Sequence, residues 1–127
     1  MFFADACAVI AFYCDGARGL SPRGRDAMRG GEVAISANTV WEISRKVRLG
    51  KLPELPPPVA LNLTAYLRRE GYRLAPLTAE LAEAANTLPP HHADPMDRML
   101  IAAAMAEGAT IITNGRIFAA YGVPVLW

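Results

Sequence analysis

Short apolar runs alternate with helix-length segments along this chain, and that alternation is the strongest constraint on its fold. Phe2-Phe3-Ala4-Asp5 predicts a first strand, with an apolar helix over residues 8–13 after it. Ser21-Pro22 is a helix start, an N-cap followed by proline at the first helical position, and Gly30-Gly31 ends that helix. Residues 32–36 predict a second strand, and a helix over 39–49 stops at Gly50. Residues 53–58 form a proline-rich connector in which Glu54 is the one charge. Residues 59–70 predict a helix stopped by Gly71. Residues 72–77 predict an edge strand, because Pro76 disfavours a central position. A small helix over 78–88, the loop Pro89-Pro90-His91-His92 and a long apolar helix over 94–107 follow. A buried strand at 110–113, a short helix and a last strand at 123–127 complete the chain. Such an order calls for a three-layer α/β/α architecture, with a central parallel sheet of four to five strands and helices on both faces.

With 127 residues, 53% of them hydrophobic and 20% charged, the chain has the length and composition of one globular domain spanning 1–127, and disorder is excluded. It has neither an apolar run of about 18 residues nor the marks of a signal peptide, so no membrane association and a cytoplasmic location are expected. Cys7 and Cys14 are expected to pack as small apolar residues rather than to form a disulfide. Net charge is only +1, but Arg18, Arg23, Arg25 and Arg29 form one basic cluster and Arg45, Lys46, Arg48 and Lys51 another. Each cluster either contacts phosphate or forms a solvated face that balances nearby acids.

Parallel connections place strand C-termini and helix N-termini on one edge of the sheet, which is where ligands bind in such folds. Four acids fall there. Asp5 ends the first strand, Glu42 lies in the expected first turn of the 39–49 helix, and Asp94 and Asp97 open the long apolar helix. The Thr113-Asn114-Gly115 turn reaches the same edge. Each acid also has a local explanation. Thr39-Val40-Trp41-Glu42 fits a capping box, Asp94 an N-cap before Pro95, Asp97 a favourable charge at a helix N-terminus, and Asp5 a turn residue. Converging carboxylates repel one another unless a cation lies among them, and an all-oxygen set suits Mg²⁺ or Mn²⁺ rather than zinc. The His91-His92 pair is expected at the loop surface. No nucleophile beside a base and no Gly-rich phosphate loop is present, so attack of an activated water on a phosphodiester is the expected chemistry.

Four segments in order resemble the PIN-domain ribonucleases, in particular the VapC-type toxins of toxin–antitoxin pairs. They are the Asp5-closed strand; Ser36-Ala37-Asn38-Thr39-Val40-Trp41-Glu42-Ile43 with Arg48-Leu49-Gly50-Lys51-Leu52; His92-Ala93-Asp94-Pro95-Met96-Asp97-Arg98-Met99-Leu100-Ile101-Ala102; and the ending from Phe118 to Trp127. The resemblance implies catalytic and metal-binding roles for Asp5, Glu42, Asp94 and Asp97, with Mg²⁺ or Mn²⁺ as cofactor. It further implies an RNA substrate, a small cognate antitoxin and a homodimer. Lys46 and Arg98 match basic positions that contact RNA phosphate or pair with a neighbouring acid, and Thr113 and Asn114 would support the ligands or their water. Two departures stand out. Ala6-Cys7 replaces the usual Thr-His or Thr-Ser, and Gly115 occupies the place of the acid in a Thr-x-Asp-x-x-Phe pattern. A missing carboxylate weakens metal binding, so the alternative is a catalytically impaired partner that binds antitoxin or RNA. A phosphoacceptor domain would need an additional acidic pair near the first strand and a late lysine, and the chain has neither.

Overall fold

The computed structural model describes residues 1–14 and 19–127, so Arg18 of the first basic cluster lies outside the described residues. Five strands, β1 (Phe2–Ala4), β2 (Val33–Ser36), β3 (Arg73–Ala75), β4 (Thr110–Ile112) and β5 (Val125–Leu126), form one sheet in the order β3-β2-β1-β4-β5. Every pairing is parallel, with Phe3 opposite Ala34 on one side and Ile111 on the other. Helices α1 (Ala6–Tyr13), α2 (Pro22–Gly30), α3 (Ala37–Arg48), α4 (Pro57–Leu61), α5 (Leu63–Arg69), α6 (Ala79–Thr87) and α7 (Pro95–Glu107) connect the strands, and a 3₁₀ turn covers Arg116–Tyr121.

The two-residue period of a strand divides the core into two layers. Ala4, Val33, Ile35 and Ile112 pack with α1, α2, α4 and α5 on one face through Val9, Met28, Val59 and Leu67. Phe3, Ala34 and Ile111 point the other way, against Leu100, Ile101 and Ala104 of α7 and against Phe118. The expected three layers and parallel sheet are therefore present, with five strands. β3 holds the edge position that Pro76 called for, and β5 forms the opposite edge.

The edge strand and the last strand are shorter than expected, at Arg73–Ala75 and Val125–Leu126, and three helix boundaries differ for reasons visible in the structure. The helix expected over 59–70 is two helices, because Asn62 (φ −138°, ψ 52°) leaves the helical region between Leu61 and Leu63. Helix α1 begins at Ala6, because Asp5 is its N-cap rather than the last residue of the strand. Helix α3 begins at Ala37, two residues early, because Ser36 both ends β2 and caps the helix through its hydroxyl, which accepts from Thr39 N. Glu42 consequently lies in the second turn, out of reach of the helix's free N–H groups, so no capping box explains it. Ser21 and Asp94 cap α2 and α7 with Pro22 and Pro95 at the first turn, as the sequence signals. Among the described residues no helix is long and apolar enough to cross a membrane.

Candidate metal centre

The sheet changes winding direction at β1, whose neighbours are β2 and β4. Such a switch point opens a crevice beyond the strand C-termini. Asp5 follows β1 at this point and Thr113 follows β4. Thr113 Oγ1 donates to Asp5 Oδ2 at 2.5 Å, joining the two strand ends, while Asp5 Oδ1 accepts from Ala8 N at 2.8 Å. Thr113 Oγ1 in turn accepts from Gly115 N at 2.9 Å. Asp5 is thus fixed through both oxygens and is buried, with 8% of its surface exposed. The support expected of Thr113 is a direct hydrogen bond, whereas Asn114 is exposed at the rim.

Burial pushes the Asp5 carboxyl up to about 6 against the two hydrogen bonds that hold it down, and the charges of Asp97 and Glu42 push it further. Asp97 is also raised, first by burial; its hydrogen bond with His92 lowers it and neighbouring Asp94 raises it again. The Asp5 carboxylate, just after β1, is therefore repelled by those of Glu42 on α3 and Asp97 on α7 across one corner. Glu42 forms an ion pair with Lys46 at 3.3 Å, one turn further along α3. The Lys46 charge also bears on Asp97 and Cys7, so the ammonium lies within the acidic corner. Cys7 is exposed beside Asp5, not packed as a small apolar residue; Cys14 is buried as expected, and the two form no disulfide with each other.

At the N-terminus of α7, Asp94 Oδ1 accepts from Met96 N at 2.8 Å and Asp97 N at 3.2 Å, so its capping role is real and occupies one carboxylate oxygen. His92 Nε2 lies 2.7 Å from Asp97 Oδ2. Among the described residues, His92, Asp94 and Asp97 each offer a ligand atom within 4.8 Å of the others. Asp5 and Glu42 are not part of that tight group, although Asp5 feels the charges of both Asp97 and Glu42. His92 is the residue that sequence reasoning placed at the loop surface. Its signal was the spacing His92-x-Asp94-x-x-Asp97, which wraps one helix N-terminus.

Arg98 has a different place from the phosphate contact expected of it. Nε and Nη2 donate to Ala85 O at 3.1 and 2.8 Å, and Nη2 also donates to Leu88 O at 2.8 Å. Nη1 donates to Pro89 O and His92 O, both at 3.0 Å, and to Tyr121 Oη at 3.2 Å. The guanidinium's five N–H groups are taken up by the 85–92 segment and Tyr121, and among the described residues no acid forms an ion pair with it.

The donor set fits a divalent cation. Asp5, Glu42, Asp94 and Asp97 would offer oxygens and His92 a nitrogen, and the carboxyls of Asp5 and Asp97 are raised first by burial and then by neighbouring carboxylates, a cost that a bound ion would relieve.

A five-stranded parallel sheet with carboxylates gathered at its switch point defines a class of α/β metal-site protein. The chain belongs to the PIN domain family, whose family model matches residues 2–124. Among solved structures it is similar to the FitAB complex bound to an IR36 DNA fragment (TM-score 0.76, 17% identity, covering 99% of this chain and 94% of that one). It is similar also to FitAcB from Neisseria gonorrhoeae (TM-score 0.69, 19% identity, 100% and 97% covered). VapBC2 from Rickettsia felis, bound to a DNA fragment from its promoter, is a further likeness (TM-score 0.70, 18% identity, 99% and 98% covered). At these identities the likeness is one of fold. No curated protein matches the chain.

Proposed function

We propose that this protein is a divalent-metal-dependent endoribonuclease that hydrolyses RNA phosphodiester bonds as the toxin of a toxin–antitoxin pair. The observation that carries this reading is Asp5, buried at the switch point, held through both oxygens and within the field of the Asp97 and Glu42 carboxylates. PIN domains are in general nucleases, and the solved structures it resembles are complexes of toxin–antitoxin systems, which supports a small antitoxin, a homodimer and a cytoplasmic setting for this chain as well.

A bound Mg²⁺ or Mn²⁺ would supply Lewis acidity toward a phosphate oxygen and toward the attacking water. Asp5 is positioned by Thr113 and the α1 N-terminus, so its carboxylate needs no reorganisation before it orients a ligand. Asp97 is steadied by His92, and Glu42 is held toward the corner by Lys46. Lys46, paired with Glu42 at 3.3 Å and part-exposed, would be placed to approach a phosphate of the substrate. The test is cleavage of total RNA by the purified protein with Mg²⁺, with Mn²⁺ and with chelator. Cleavage that persists in chelator, or none with either ion, overturns the reading.

Gly115 favours a second reading, a PIN protein of reduced activity that serves chiefly as a binding partner. Its backbone is unstrained, but a Cβ built there meets Phe118 Cε2 at 2.8 Å and Cδ2 at 2.9 Å, and Phe118 is buried. Glycine has let the ring close over the place of the missing acid. Gly115→Asp is expected to tighten Mn²⁺ binding several-fold while lowering stability by about 1 to 3 kcal/mol, because the ring must move. Calorimetric titration and thermal melts check the two effects. Unchanged affinity in a folded variant would remove Gly115 as the cause of a weak site.

A further inference from the structure

We propose that His92 is a ligand in this metal site and that its nitrogen biases the site toward Mn²⁺-class transition ions over Mg²⁺, an inference that rests on the metal-dependent reading above. Three observations converge on it. Nε2 of His92 lies 2.7 Å from Asp97 Oδ2, with an Asp94 carboxylate oxygen inside the same 4.8 Å group. Two donors that bind one ion at roughly 2.1 Å and at right angles stand about 3 Å apart, so an ion that replaced the proton of this hydrogen bond would need the two atoms to part by only a few tenths of an ångström. The histidine is also presented rather than left to wander. Its carbonyl accepts from Arg98, and the same guanidinium ties down Ala85, Leu88 and Pro89, so the whole loop before His92 is braced. Finally, Gly115 has removed a carboxylate from the β4 side of the crevice, so the set is poorer by one oxygen where it is richer by one nitrogen. Mg²⁺ requires near-octahedral oxygen ligation and gains little from imidazole, whereas imidazole suits transition ions.

The competing account makes His92 a positioning residue that only hydrogen-bonds Asp97. In that case its loss weakens every ion alike. The deciding measurements use the metals alone, without RNA. Calorimetric titration of Mg²⁺ and of Mn²⁺ into the full chain, His92→Gln and His92→Ala is expected to show Mn²⁺ affinity falling about tenfold or more. Mg²⁺ affinity is expected to change less than about threefold. Pulsed electron paramagnetic resonance of the Mn²⁺-loaded wild type is expected to show ¹⁴N modulation from directly bound imidazole, absent in both variants. Equal weakening of the two ions, or no ¹⁴N modulation in the wild type, overturns the proposal. If neither variant folds in a thermal melt, the wild-type ¹⁴N signal decides by itself. A wild type that binds Mn²⁺ through nitrogen but cleaves no RNA overturns the nuclease reading and leaves the ligand assignment standing. RNA cleavage without ¹⁴N coupling does the reverse.

Discussion

Asp5→Asn is expected to lose RNA cleavage by at least about a hundredfold, more than outer-shell changes at metal sites produce, and yet to melt higher than the wild type in chelator at pH 8. The two effects have one origin. The folded chain holds the Asp5 carboxyl at about 6, above its ordinary 3.8, chiefly because the group is buried. A raised folded value means that the neutral carboxyl favours the fold. That contribution is complete below about pH 4 and is lost as pH rises through 6. Near pH 8 the ionised, metal-free site therefore costs the fold roughly 3 kcal/mol, since every tenfold change in proton affinity between the unfolded and folded chain is worth about 1.4 kcal/mol. Asn removes that charge and keeps an oxygen for Ala8 N. It forfeits the Thr113 bond, which offsets about 1 kcal/mol. A net gain of about 2 kcal/mol follows at pH 8 and turns into a deficit of about 1 kcal/mol by pH 4, where the wild-type carboxyl is neutral and only the lost Thr113 bond counts, so the order of the two melting temperatures should reverse as pH falls. Saturating Mn²⁺ should reverse the order, because an ion that binds only the folded wild type stabilises it by mass action. Melts at pH 4, 6 and 8, with chelator and with Mn²⁺, check each part. A variant that melts lower than the wild type in chelator at pH 8 would show that Asp5 is a structural hydrogen-bond acceptor and not an under-compensated charge.

The sequence carried the architecture because each element announced itself by more than one signal. Ser21-Pro22 and Asp94-Pro95 combine a cap with a first-turn proline, and Gly108 at φ 61° provides a left-handed stop for α7. The strand-to-helix junctions were less legible, since Ser36 both ends β2 and caps α3, and Asp5 caps α1 directly after β1 with no residue between. A residue with two roles hides the boundary between them. The same ambiguity ran through the site. Asp94 is both cap and candidate ligand, because capping needs one oxygen and leaves the other. Glu42 lost its capping explanation once α3 proved to begin at Ala37. His92 carried a spacing signal toward Asp97 that was not read, whereas Arg98 could not be assigned from spacing, because its partners are backbone carbonyls of the 85–92 segment and Tyr121 Oη. Local pattern reports which residues have the right chemistry; loop-mediated contacts decide which of them use it.

Arg98→Ala is expected to lower stability by about 3 kcal/mol and the melting temperature by about 10 °C. Arg98→Lys should recover little of that loss. The guanidinium satisfies the carbonyls of Ala85, Leu88, Pro89 and His92 and meets Tyr121 Oη, which itself donates to Pro89 O at 2.9 Å. These acceptors fan out around one planar fork. Lysine carries three donors on one nitrogen and cannot reach acceptors on both sides of it. Several of the carbonyls border solvent and would be hydrated once the side chain is removed, so the cost is well below the sum of that many buried bonds. The consequence for function reaches beyond stability. With the 85–92 loop released, His92 is no longer held against Asp97, so Arg98→Ala should lose Mn²⁺ affinity together with its melting temperature, at temperatures where the variant is still folded. Melts followed by Mn²⁺ titration well below the new midpoint separate the two effects. A variant that is destabilised but binds Mn²⁺ like the wild type would place His92 under the control of α7 alone, and Arg98 would then be a brace for the fold with no reach into the site.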